Sequence, residues 1–142
     1  MPQFFFETDA GAPPVQFGGP ADVLVYFLSL AFSTRYGSQH ELSQLALLLR
    51  GEHNVNLDPL TTFADRDVEV EADARELERV WQDAGPLAET LRIVVESLES
   101  GDERIDALVA NTPDLLPRLR DLLVMSEWAS ERAARVRMTF LL

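Results

Sequence analysis

Carboxylates are the residues with which this chain could do chemistry. Seven acids and two Arg lie between Asp65 and Glu78. Counted from Asp65, the residues Asp65, Asp67, Glu69, Glu71, Asp73 and Glu76 occupy positions 1, 3, 5, 7, 9 and 12 of a calcium loop. That spacing matters because a hard cation needs several oxygens converging from a short segment. Val70, however, holds the sixth position, where an EF-hand has Gly for its sharp turn, and Pro59, Thr61 and Thr62 stand where an entering helix would run. The segment therefore reads as a solvated face leading into a helix whose N-terminus welcomes acids, and no metal site is favoured.

His40 and His53 are the only histidines, each beside an acid, Glu41 and Glu52. Two His and two Glu have the chemistry of a zinc or iron site. One stands at the start of an expected helix and the other beyond its end, about 18 Å apart at ~1.5 Å per residue. Surface histidines are the simpler account.

Glu96, Glu99, Glu103 and Asp106 resemble the paired acids of all-helical nucleotide pyrophosphohydrolases, in which two pairs on different helices face one magnesium cluster. That family separates its pairs by a longer stretch. Here three residues intervene, among them Gly101, and a solvated helix end accounts for the acids.

Several chemistries are excluded. With no Cys there are no disulfides, thiol nucleophiles or thiolate metal sites. With no Lys there is no Schiff base. Gly18-Gly19-Pro20 lacks the spacing and the Lys of a phosphate loop, and no Gly-x-Ser-x-Gly elbow is present. No cofactor is expected.

All twelve basic residues are Arg, against twenty-four acids, for a formal charge of -12. Nucleic acid is a poor partner at that charge. Arg without Lys fits a GC-rich genome, and a salt-adapted proteome is a second explanation. Residues 118–142 net +2 while the rest of the chain nets -14. Arg132 and Arg135 are thus offered as contacts for an acidic surface, such as the acidic segment of a second copy.

The elements that must position these residues are mostly helical. Val23 to Phe32 is the most apolar stretch, and it is shorter than the roughly 20 residues of a membrane span. No basic, apolar leader opens the chain, so a cytoplasmic location is expected. A helix beginning at Pro20 has almost no polar face and should be central or at a subunit interface. Gly37 would stop it, and Ser38-Gln39-His40-Glu41 forms a capping box for a second helix with a Leu42, Leu45, Leu48, Leu49 stripe ending at Gly51. The two helices should make a hairpin. Residues 51–63 read as a loop, and the alternation from Asp65 to Asp73 as a short strand or extended lead-in. Asp73 should cap a helix bearing Leu77, Val80, Trp81 and Ala84, ended by Gly85-Pro86. Leu87, Leu91, Val94, Val95 and Leu98 carry an amphipathic helix to Gly101, and Asp102 caps a short one. A long last helix is expected from the recurrence of Leu115, Leu119, Leu122, Ser126, Ala129, Ala133, Val136 and Phe140 at spacings of four and three. Pro117 belongs in its first turn.

The expected fold is mainly α, a compact bundle of five to six helices in a single domain over 1–142. Residues 1–19 form an arm or short strands, and that arm and residues 66–71 supply a minor β element. The expected function is that of a non-enzymatic helical interaction protein: a homo-oligomer, an adaptor or a component of a larger assembly. The alternative is a small metal-dependent enzyme or divalent-cation module using 65–78. Phe4, Phe5, Phe6, Phe140, Leu141 and Leu142, apolar ends that are hard to solvate, join Arg132 and Arg135 as the expected contact residues with a protein partner or a second copy.

Overall fold

The computed structural model describes residues 2–32 and 40–142. Gly37, Ser38 and Gln39, the expected stop and capping box, lie outside them. Among the described residues seven helices join a small four-stranded sheet, so the fold is mainly α with some β and not a pure bundle of five to six helices. In chain order these are β1 (Gln3–Thr8), α1 (Asp22–Phe32), α2 (Glu41–Gly51), α3 (Asp58–Thr61), β2 (Ala64–Asp65), α4 (Glu71–Arg79), β3 (Gln82–Asp83), α5 (Ala84–Leu98), α6 (Glu103–Val109), α7 (Leu115–Glu131) and β4 (Arg135–Leu141).

The expected final helix is cut short. Leu115, Leu119, Leu122, Ser126 and Ala129 are all buried along α7, and Pro117 sits in its first turn. Ala133 then adopts a left-handed backbone at φ 53°. The Ala134 amide donates to the Ala129 carbonyl and the Ala133 amide to the Ser130 carbonyl, both at 3.0 Å. This is a Schellman termination with Ala in the position Gly usually takes. Beyond it the chain is extended, and Val136 and Phe140 continue the helical spacing by coincidence, since both also lie on one face of a strand.

β4 is the centre of the sheet. β1 pairs with it antiparallel from Gln3 opposite Leu141 to Thr8 opposite Val136. On its other edge β2 pairs in parallel at Thr139 and Phe140, and β3 antiparallel at Arg135 and Val136. The apolar ends of the chain are thus largely taken up by each other. Phe4, Val136 and Met138 are buried, and Phe140 packs on Phe63 with ring centroids 5.6 Å apart. Within the expected arm, Val15 to Phe17 form no strand; Phe17 instead meets Phe4 edge to face at 5.8 Å.

The acidic segment pairs at 64–65 rather than 66–71, and the helix after it begins at Glu71. Asp73 is therefore not its cap but its third residue. Its carboxylate reaches back to accept from the amides of Glu69 (3.0 Å) and Val70 (3.2 Å), satisfying donors that a helix start leaves open. This helix ends at Arg79, before Gly85-Pro86, which instead lies in the first turn of α5. Residues 58–61, expected as loop, form a helical turn with Pro59 in its first turn.

The core lies between the sheet and the helices. α5 buries Leu87, Leu91, Val94 and Leu98 along α7, as the stripe predicts. α1 buries Val23, Leu24, Val25, Phe27 and Leu28 and turns Tyr26 outward. α1 and α2 pack as a hairpin, closed by Arg50 donating to the Ala31 carbonyl at 3.0 Å. α6 packs across α2 and completes that side of the domain. No helix among the described residues is long and apolar enough to cross a membrane.

Candidate functional site

α2 and α6 leave an open groove of about 850 Å³ between them. The stripe of α2 explains its shape. Leu42, Leu45 and Leu49 turn into the core, whereas Leu48 is half-buried at the edge and Leu47 stands 47% exposed. From α6, Ala107 and Leu108 supply the facing wall, while Ile105 is fully buried beneath. The ends are polar: Glu41 and Gln44 near the start of α2, Gly51, Glu52 and Arg104 at its far end.

The two helices are stapled at that far end by one charged cluster. Asp102 caps α6 by accepting from the Arg104 amide at 2.9 Å. The same carboxylate takes a fork from the Arg104 side chain, at 3.2 Å from Nε and 3.0 Å from Nη2. His53 Nε2 lies 3.3 Å from its second oxygen, and Arg104 also reaches Glu52 at 3.4 Å. The side-chain hydrogen bonds from Arg104 hold the Asp102 carboxyl down to about 2. A carboxylate so committed is a weak proton acceptor at neutral pH. At the other end Asn111 donates to Glu41 at 3.1 Å, tying the chain after α6 to the start of α2. The arrangement holds a half-apolar surface between two helices tied to each other at both ends.

His40 and His53 stand at opposite ends of α2. His40 is its N-cap, accepting from the Leu42 amide through Nδ1 at 3.1 Å. Among the described residues no three His, Asp or Glu side chains gather so as to hold a metal ion. Asp65 accepts from the Asp67 amide, Asp73 serves the start of α4, and Glu71 and Glu76 pair with Arg75 and Arg79. Of the two acidic pairs in 96–106, Glu99 meets Arg120 at 3.2 Å, while Glu96, Glu103 and Asp106 are exposed.

The basic end of the chain finds partners within it. Arg132 lies over the Trp128 ring at 4.1 Å, and Arg135 donates to the Trp81 carbonyl at 2.9 Å. Arg137 bonds Glu7 at 3.1 Å and the Leu77 carbonyl at 3.3 Å while lying over Trp81. Phe5 is covered by Arg66 at 4.2 Å, Phe6 packs against the core, and Leu141 is half-buried. Leu142 is 86% exposed. Phe4, Phe5, Phe6, Phe140 and Leu141 are thus brought together on the β1–β4 pair, Arg132 and Arg135 follow the end of α7, and none of them lines the groove.

Sequence reasoning passed over Leu47, Ala107 and Leu108. Leu47 carried a signal, an apolar residue outside the Leu42, Leu45, Leu48, Leu49 stripe. The pairing of His53 with Asp102 had none, because it joins residues 49 positions apart. No family model matches the chain, and neither a curated protein nor a solved structure matches it significantly.

Proposed function

We propose that the chain works without catalysis, as an interaction protein whose docking surface is the groove between α2 and α6. One observation carries this reading: Leu47, at 47% exposure, heads an apolar wall on two helices that are tied together by a hydrogen bond at one end and an ion pair at the other. An exposed apolar strip with a polar rim is the ordinary anatomy of a protein contact. Preformed, tethered walls favour association because little ordering remains to be done on binding.

The test is photo-crosslinking. Benzoylphenylalanine is placed at Leu47 and, for comparison, at the equally exposed Val68 of the acidic segment. Irradiation in an extract of the organism should give a discrete polypeptide adduct from position 47 and none from 68. Equal labelling at both positions, or none at 47, refutes the reading. Thermal melts with EDTA and with added calcium, magnesium or zinc should be superimposable. A specific rise in the midpoint would favour the cation-binding alternative instead.

A further inference from the structure

The charge around the groove specifies what kind of chain fits it. Glu41 and Glu52 stand at the two ends of its α2 wall, while Glu103 and Asp106 are exposed elsewhere on α6, outside the groove lining. The two arginines of this region are already engaged. Arg50 donates to the Ala31 carbonyl, and Arg104 is forked onto Asp102 and paired with Glu52. An occupant therefore meets an apolar strip with Glu41 at one end and, at the other, Glu52 and Asp102 sharing the single Arg104.

Length specifies the rest. Glu52 follows Glu41 by eleven positions along α2, about 16 Å or three turns at ~1.5 Å per residue. A third helix laid along that span would present apolar residues at i, i+4 and i+7 to Leu47, Leu48 and Leu108. Its two ends would meet Glu41 and Glu52.

We infer that the groove receives a basic amphipathic helix from another protein. A second copy does not supply one: each of the described helices is neutral or acidic in its formal charge, the chain has no Lys, and its overall charge of -12 opposes self-association. The same overall charge draws a basic partner in, with a salt dependence that a purely apolar contact would lack.

This inference rests on the interaction reading above, and its experiment separates the two. The probe is a fluorescein-labelled peptide of roughly 15 residues, long enough to hold a helix, built from Leu, Ala and Lys with Leu on one face. Its controls are the same composition with the Leu scattered, and a version with Glu for every Lys. Anisotropy should show saturable binding of the amphipathic Lys peptide alone, weakening as salt rises from about 50 to about 500 mM. Leu47→Asp and, independently, Ala107→Trp should each weaken binding by about tenfold or more, with melting curves confirming that both variants remain folded. The inference is overturned if the scattered peptide binds as well, since that is adhesion to an acidic surface. It is equally overturned if neither substitution changes the affinity, if the Glu peptide binds better, or if light scattering shows a dimer that Leu47→Asp dissolves. A partner crosslinked at position 47 together with a silent Lys peptide would sink the basic helix and leave the interaction reading standing.

Discussion

Replacing Ala133 by Gly should stabilise the protein, and the sign of the change is diagnostic. Ala133 has φ 53°, and its side chain is exposed, so Gly removes a strained Cβ without opening a cavity. A left-handed non-Gly residue costs about 1–2 kcal/mol. Against this, Gly loses more freedom on folding, about 0.4–1 kcal/mol. The net expectation is a gain of about 0.5–1 kcal/mol, read as a higher urea midpoint at unchanged slope. Had the helix continued to Phe140, the same Gly would fall in a helix interior and cost about 1 kcal/mol. Ala134→Gly serves as the control: Ala134 is 5% exposed with the core and its amide closes the α7 terminus, so that variant should lose stability. A destabilised Ala133→Gly, with circular dichroism showing lost helix, would refute the account of where α7 ends.

Three further outcomes are expected. Leu91 is fully buried where α5 packs on α7, and Leu91→Ala should cost about 2–5 kcal/mol in urea unfolding. Arg137→Ala removes the bonds to Glu7 and Leu77 and the cation over Trp81; it should cost about 1–3 kcal/mol and red-shift the emission of Trp81, while Trp128 keeps Arg132. The Asp102 carboxyl is lowered from 3.8 to about 2, so its stabilisation is complete above pH 4 and lost as pH falls through 2. Asp102→Asn should therefore melt below the parent by a gap that is constant near neutrality and closes between about pH 4 and pH 2; a gap independent of pH across that window would show that the carboxylate charge is not what holds Arg104.

Much of the helical framework is legible in local sequence, because caps, stripes and breakers act within one or two turns. Leu87 to Leu98 mark the buried face of α5, Asp102 caps α6, and Pro117 fixes the start of α7. The end of α7 is another matter. Ala133, Val136 and Phe140 satisfy a helical period, and Val136, Met138 and Phe140 a strand period. Over seven residues the two patterns do not separate. Three other segments, far away in the chain, pair with 135–141 and make it a strand. The same holds at the candidate site. That Leu47 is apolar is written in the sequence, but that it stays half-exposed depends on where α6 crosses α2. Local chemistry determined most of the long helices; backbone pairing and packing between remote segments decided where the last one ends, which chain ends are buried, which arginines are engaged, and where an apolar wall is left facing water.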